Sequence, residues 1–397
     1  MQTIDTSPTV SPLFRIHHAL SEIPSAAWNA LLDEDATPFL RWEWLEALEQ
    51  SGCVGPGTGW NAAHLALYRS DRLVAAAPCY IHEESDGDFS QDWNWADAAG
   101  RAGIRFYPKL CVTVPFTPVS GRRFLVASDE NLRDAVRELL RGAMNAAERF
   151  GCGTLQVLFC RDEESLMAAD VGLARRIHFQ YHWRNERYSS FDDFLARFSS
   201  KKRNAIRRER AAPDKEGIRI RTVRGDELAR NPSGWAATAD ALHRSTVEKL
   251  AWGRRWIHRE FYELVLDRMP DHVEIVVAER EGRIIAGAFN LATTSRLFGR
   301  YWGCLEEHPF LHFNVSLYHS IEECIRMGRI AFEPGAGGEH KLTRGFEPAE
   351  TFSAHHVFDE RVDVAVRKAI AAENEGLGEA LRNWKERSPV LKKREAA

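Results

Sequence analysis

Between Phe332 and Phe346 the chain carries two carboxylates, Glu333 and Glu339, an imidazole, His340, and two cations, Lys341 and Arg344, around the nearly bare run Gly335-Ala336-Gly337-Gly338. Carboxylate, imidazole and cation are the groups that proton transfer and charge stabilisation require. A glycine-rich backbone can bend tightly and turn several N–H groups toward one anion. The same composition would also serve a solvated turn, so the elements that carry this stretch decide what it does. Its first residues close a strand expected from Arg329 to Phe332, and Tyr301 lies on an earlier strand that ends nearby, at Trp302 and Gly303.

The composition sets the frame. The 397 residues are enough for two cores, and 44% apolar content fits a globular protein that folds by burial. Basic residues number 53 against 57 acidic, so no global charge demands nucleic acid or an anionic membrane. The opening residues Met1 to Thr6 have no basic or apolar leader pattern, and no apolar run is long enough for a bilayer, which points to a cytoplasmic protein. The seven cysteines are scattered with no C-x-x-C pair, and no three ligands fall at metal spacing; a disulfide framework and a metal site are not expected. The chain also lacks a G-x-S-x-G elbow and a base-flanked cysteine.

Apolar periodicity predicts a hairpin over 63–81, a strand near 112–125, a helix with Leu132, Val136, Leu139, Leu140, Ala143 and Ala147 inward, and a buried strand over 154–159. The order then returns: three antiparallel strands over 273–278, 284–291 and 296–303, a helix over 313–327, and the strand ending at Glu333. Arg72 to Ala77 aligns with Arg283 to Ala288, which suggests an internal copy. Relative to the second passage the first carries an insertion, assigned to 82–112, whose Trp93, Trp95, Phe106 and Tyr107 suit a lid or binding loop better than a linker. The expected organisation is a first domain over 1–190, a connecting helix over 191–215, a second domain over 216–387 with the site, and a loose tail over 388–397. The connecting helix carries Lys201, Lys202, Arg203, Arg207, Arg208 and Arg210 against Glu209 alone, a phosphate-seeking patch in a balanced protein.

Mixed sheets with hairpins, and a helix before a strand splayed from its neighbour, resemble the Gcn5-related acyltransferase fold in tandem: α/β (α+β), each sheet mostly antiparallel and flanked by helices. Seven blocks in order narrow the match: Pro38-Phe39-Leu40 with Ser51-Gly52; Tyr107-Pro108-Lys109; 114–123; 202–209; Gly299 to Cys304; Leu311-His312-Phe313; and Gly338 to Lys341 with Arg344-Gly345-Phe346 and Ser353-Ala354-His355. Together they are similar to the FemAB-like family of peptidoglycan biosynthesis or recognition proteins, over nearly the whole chain. The resemblance implies an acyltransferase, whether aminoacyltransferase or N-acetyltransferase, acting on a small-molecule or peptide amine, with acyl-coenzyme A or aminoacyl-tRNA as donor.

On that basis Glu333 or Glu339 orients or deprotonates the acceptor ammonium, His340 carries the proton, Tyr301 protonates the leaving group, and Lys341 with Arg344 balances charge. Asn314, Trp302, Arg300, His355, Trp93, Trp95, Tyr107 and Lys109 complete the expected substrate contacts. Lys201 to Arg210 would meet a tRNA. Two departures stand out: Asn314 occupies a place where the family pattern has an acid, and the R/Q-x-x-G-x-G/A loop that binds pyrophosphate is missing. They leave a second class open, a catalytically silent module that holds a peptide or cell-wall precursor between the copies. The first copy, without glycines near Phe159 to Asp162, is expected to shape the cleft.

Overall fold

The computed structural model describes residues 12–249 and 254–387, so the opening residues and the expected tail over 388–397 lie outside them. The first half builds β1 (Leu13–His17), β2 (Trp60–Ala62), β3 (His64–Arg69), β4 (Arg72–Ala77), β5 (Cys79–His82), β6 (Lys109–Val112), β7 (Leu125–Val126), β8 (Thr154–Cys160) and β9 (Ala174–Arg184). The second builds β10 (Arg219–Val223), β11 (Val273–Arg280), β12 (Arg283–Ala292), β13 (Arg296–Cys304), β14 (Ala331–Glu333) and β15 (Glu347–Val357).

Both expected hairpins form, β3 with β4 and β11 with β12. In each half a helix separates two parallel strands: Leu132–Arg149 between β6 and β8, and the helix over 311–326 between β13 and β14. The first of these helices buries Val136, Leu139, Leu140, Ala143 and Ala147, and the Asn131 side chain caps it by accepting from the Asp134 N–H at 3.0 Å. The halves share one sheet of order β10-β11-β12-β13-β14-β9-β15-β8-β6-β5-β2, while β1, β3, β4 and β7 form a second. β9 is the joint. It pairs with β14 at Trp183 and Arg184, and with β15 from Ala174 to His182. The core is continuous across the halves, with Phe39 5.6 Å from Phe298 and Trp44 4.8 Å from Phe261, edge to face.

Three expectations change. The strand expected over 112–125 is two short strands, because the prolines of the intervening stretch cannot extend a ladder. The connecting segment over 191–215 is three helices, Phe191–Ala196, Ser200–Arg210 and Ala212–Lys215, and Ser190 and Ser199 each cap a fresh start through the N–H three residues on. The insertion holds a helix, Trp93–Arg101, whose Trp95 and Ala99 pack with Val362, Val366 and Ile370 of the helix Glu360–Arg387. That contact makes the helix a wedge under Glu360–Arg387, while Phe89 to Gln91 of the same insertion line a hollow beside the glycine loop. All seven cysteines are free and six are buried, as small hydrophobes would be.

Candidate active site

β13 and β14 pair in parallel only at Arg296–Phe298 with Ala331–Glu333, and then part. The parting begins at Gly299, where a side chain would place Cβ 3.1 Å from the Pro334 Cα, so bare backbone lets the chain leave the sheet. The loop then runs through Gly335, Gly337 and Gly338, all at positive φ, into the short helix Glu339–Arg344. Gly338 is required twice over: φ is +87°, and a Cβ would sit 2.5 Å from the His340 ring. Lys341 reaches back under this loop and donates to the Gly335 carbonyl at 2.7 Å and the Ala336 carbonyl at 3.4 Å. Its ammonium is buried without a carboxylate partner among the described residues, and burial lowers its pKa to about 8.

The loop is a wall common to three hollows, and Ala336 lines all of them. The first, of about 180 Å³, lies between β12, β13 and the helix over 311–326, and is lined by Asn290, Tyr301, Trp302, His312, Ser316, His340 and Lys341. Inside it the Asn290 amide nitrogen and the Ser316 hydroxyl are buried without a hydrogen-bond partner among the described residues. Buried polar atoms are seldom left so, and both of these can donate. The Tyr301 ring stacks on His243 at 4.4 Å, on the opposite face of the sheet from Asn290, so its hydroxyl points away from them. Burial, then His340, Lys341 and Arg344, lowers His312 to about 4. His340 is lowered by burial and then by Lys341 and Arg344, while burial raises Tyr301 against the opposing charge of Arg300. At neutral pH the cavity therefore holds two neutral imidazoles, His312 and His340, beside the Lys341 ammonium.

Of the residues singled out in the sequence, the structure gathers Glu339, His340, Lys341, Arg300, Tyr301 and Trp302 around this loop. Arg300 also donates to the Phe116 carbonyl, and Trp302 packs 5.0 Å from His312. The others point elsewhere. Glu333 lines none of the three hollows; Arg296 holds it at 3.1 Å, His182 stands 3.8 Å away, and burial raises its pKa to about 7. Arg344 binds Glu209 at 3.0 Å and lies over the Phe313 ring. The Asn314 amide donates to the Glu209 and Phe310 carbonyls at 2.8 and 3.0 Å, which pins the basic helix to the turn of π-helix at Asn314–Tyr318.

His355 is buried, 2.8 Å from the Ser353 hydroxyl and edge-on to Trp95. Trp95 in turn stacks on Arg176, and Trp93 stands half-exposed on the wedge helix. The Tyr107 hydroxyl bonds Ser85 at 2.8 Å, and Lys109 is sealed between Asp88 and Asp92. On the basic helix Arg207 pairs with Asp192 and Arg210 with Glu322, whereas Lys201, Lys202, Arg203 and Arg208 have no ion pair among the described residues. Residues not foreseen are Asn290, His312 and Ser316. Asn290 had a signal, an amide inside the apolar run Ala286 to Leu291. The inward turn of Ser316 comes from the local π-helix, a feature frequent at functional sites that spacing does not reveal.

A family model for FemAB-like proteins, described as peptidoglycan biosynthesis/recognition, matches residues 19–392. The chain belongs to this FemAB-like family. Among solved structures it is similar to FemX, with 12% identity and a TM-score of 0.52 over 90% of this chain and 100% of that one. It is also similar to the C-terminal domain of a putative lysylphosphatidylglycerol synthetase from Agrobacterium fabrum, with 11% identity and a TM-score of 0.51 over 88% and 96% of the two chains. No curated protein matches the sequence. The FemAB-like chain thus has the tandem Gcn5-related acyltransferase fold expected of it, α/β with mostly antiparallel pairing. Among the described residues no helix is long and apolar enough to cross a membrane, and no group of three side chains is placed to hold a metal.

Proposed function

We propose that this FemAB-like protein transfers an acyl or aminoacyl group from an activated donor to an amine. One observation carries the reading: the cavity at the splayed strands has two buried donors without partners and a buried cation without a counter-ion among the described residues, beside a neutral imidazole and an exposed carboxylate. Such a set suits a carbonyl oxygen that becomes anionic. The amine nitrogen attacks the donor carbonyl, forming C–N, and the donor C–O or C–S bond breaks. Lys341 and Asn290 meet the charge on the carbonyl oxygen. Glu339 draws in the acceptor ammonium, and His340 takes the proton that nitrogen sheds and delivers it to the leaving atom; Tyr301, turned toward His243, has no part in this step.

Aminoacyl-tRNA is the donor best supported, because the basic helix presents Lys201, Lys202, Arg203 and Arg208 without ion pairs and is tied to the site through Glu209 and Arg344. That donor would place the reaction in the cytoplasm. The turn before the helix over 311–326 carries Glu306 and Glu307 where a pyrophosphate would need bare N–H groups. Incubating full-length protein with an amine and either aminoacyl-tRNA or acyl-coenzyme A, and following amide formation, tests the reading. Amide from aminoacyl-tRNA, lost in His340→Ala and Glu339→Gln, is expected. A His340→Ala or Glu339→Gln protein with full turnover removes that residue's role, and no amide from either donor leaves the silent precursor-binding module.

A further inference from the structure

The third hollow against the glycine loop, of about 280 Å³, lies where the two halves meet, on the other face of β13 from the cavity of Asn290 and Ser316. Arg300 and Tyr301 are neighbours in sequence, yet both turn to this face. Arg300 is the extra residue of a bulge between the pairs Phe289–Tyr301 and Asn290–Gly299, which breaks the alternation of the strand. The Tyr301 ring stacks on His243, and His243 shares a face of the helix Pro232–Val247 with Val247, one turn on. From the first half Phe116 closes the hollow, its ring stacked on Trp256 at 5.6 Å and its carbonyl accepting from Arg300. Two stacked aromatic pairs therefore form the sides.

The polar groups are donors. The Tyr262 phenol is buried, and the His243 Nδ1 at 3.0 Å is its acceptor, so the phenol donates and the imidazole proton sits on Nε2. Burial, then Arg255 and Arg300, keep that ring neutral by lowering it to about 4. Since Nδ1 faces the core at Tyr262, the Nε2–H faces the other way, toward the hollow. Among the described residues the Tyr301 hydroxyl and the Arg300 Nε are buried without a hydrogen-bond partner, and Arg300 has no carboxylate partner. Arg254, also in the lining, is taken by Glu84 and Asp86 at 2.5 and 3.0 Å. No aspartate or glutamate lines the hollow among the described residues. A guanidinium with an imidazole N–H beside it matches the two coplanar oxygens of a carboxylate. A phosphate would leave its further oxygen and charge against aromatic rings.

We propose that this hollow is a binding site for a carboxylate carried on an apolar body, with its oxygens on the Arg300 guanidinium and the His243 Nε2–H and its body against the Trp256 ring. The hollow shares Pro334 and Ala336 with the cavity of Asn290 and Ser316, so its occupant lies directly behind the glycine loop. The assignment needs no acyl donor and stands apart from the transferase reading.

Calorimetric titration of the full-length protein with 3-phenylpropionate tests it, with 3-phenylpropanamide and phenyl phosphate as comparison probes. The carboxylate is expected to bind about tenfold or more tightly than either, as a charge-assisted hydrogen bond to Arg300 would provide. Arg300→Met keeps the stem and removes the charge; it should bring the carboxylate down to the affinity of the amide and leave the amide unchanged. His243→Phe keeps the stack on Tyr301 and should weaken the carboxylate by about fivefold. Val247→Trp fills the hollow without touching either donor and should abolish binding of both. No binding of 3-phenylpropionate, or amide or phosphate binding as tightly as the carboxylate, overturns the proposal. Parent-like affinity in Arg300→Met overturns it as well. Should Arg300→Met lose its fold by circular dichroism, the other two variants decide, and parent-like binding in both overturns the site.

Discussion

Lys109 in the first half and Lys341 in the second are both buried, and their surroundings set them to opposite tasks. Lys109 touches Asp88, Asp92 and the Ser85 hydroxyl, and although burial works against its charge, the two carboxylates raise its pKa. Lys341 has two backbone carbonyls and no acid, so burial wins and the pKa falls. The pairings beside them are alike in length, four residues for β6 with β8 and three for β13 with β14, but after the second the glycine loop leaves a hollow. A buried cation with its counter-charge is a structural knot; one without it, at a gap in a sheet, carries its desolvation cost unrelieved.

That contrast can be broken experimentally. Lys109→Met strands two buried carboxylates and should destabilise the fold by about 3–5 kcal/mol in denaturant titration, since removing one side of a buried ion pair exposes the cost of the other. Lys341→Met removes no counter-charge. It should lower turnover by about a hundredfold, the usual loss of an oxyanion donor, while stability at pH 7 holds or rises. Parent-protein stability itself should rise between pH 8 and 10.5, because the folded state gives up the Lys341 proton near 8 and the unfolded chain keeps it to 10.5; below pH 8 the full cost of the buried cation is present. Urea titrations across that window, compared with Lys341→Met, isolate the slope.

Gly338→Ala should cost about tenfold in turnover with little change in far-ultraviolet circular dichroism, because it strains the loop and displaces the His340 ring. Glu333 sharpens the comparison from the other side. Its carboxyl is raised from 4.5 to about 7, so the folded state holds a proton that the unfolded chain has lost, and stability should fall as pH rises through that window. Glu333→Gln should flatten this slope and add about 1–2 kcal/mol above pH 7, as relief of a buried carboxylate whose desolvation Arg296 offsets only in part would. The smallest effect is expected at Lys201 and Arg208. Replacing either with Ala should reduce the salt slope of tRNA binding by about one, as each removes one phosphate contact.

Much of the site's address was legible. A glycine-rich run after a strand, followed by acid, imidazole and cation, is a local pattern, and the structure does bring Glu339, His340 and Lys341 to one wall. Which side chains face the cavity was not legible, because a strand end or a one-turn helix can aim successive residues in opposite directions. Glu333 and Arg344 left the cavity in that way, each drawn to a partner far away in the chain, Arg296 and Glu209. Lys109 and Trp95 carried the composition of a binding loop, but their partners, Asp88 and the helix Glu360–Arg387, turned them inward.

By itself the sequence determined the repeat of hairpin, helix and strand, the buried face of the helix Leu132–Arg149, and the place where backbone must run bare, since periodicity and glycine act through neighbours in the chain. Tertiary structure alone decided that β9 joins the halves, that Asn290 and Ser316 turn unpartnered donors into one hollow while Tyr301 turns to His243, and that Lys341 has no counter-ion among the described residues. Those outcomes depend on which distant groups meet and on how much water they exclude, and both are properties of packing.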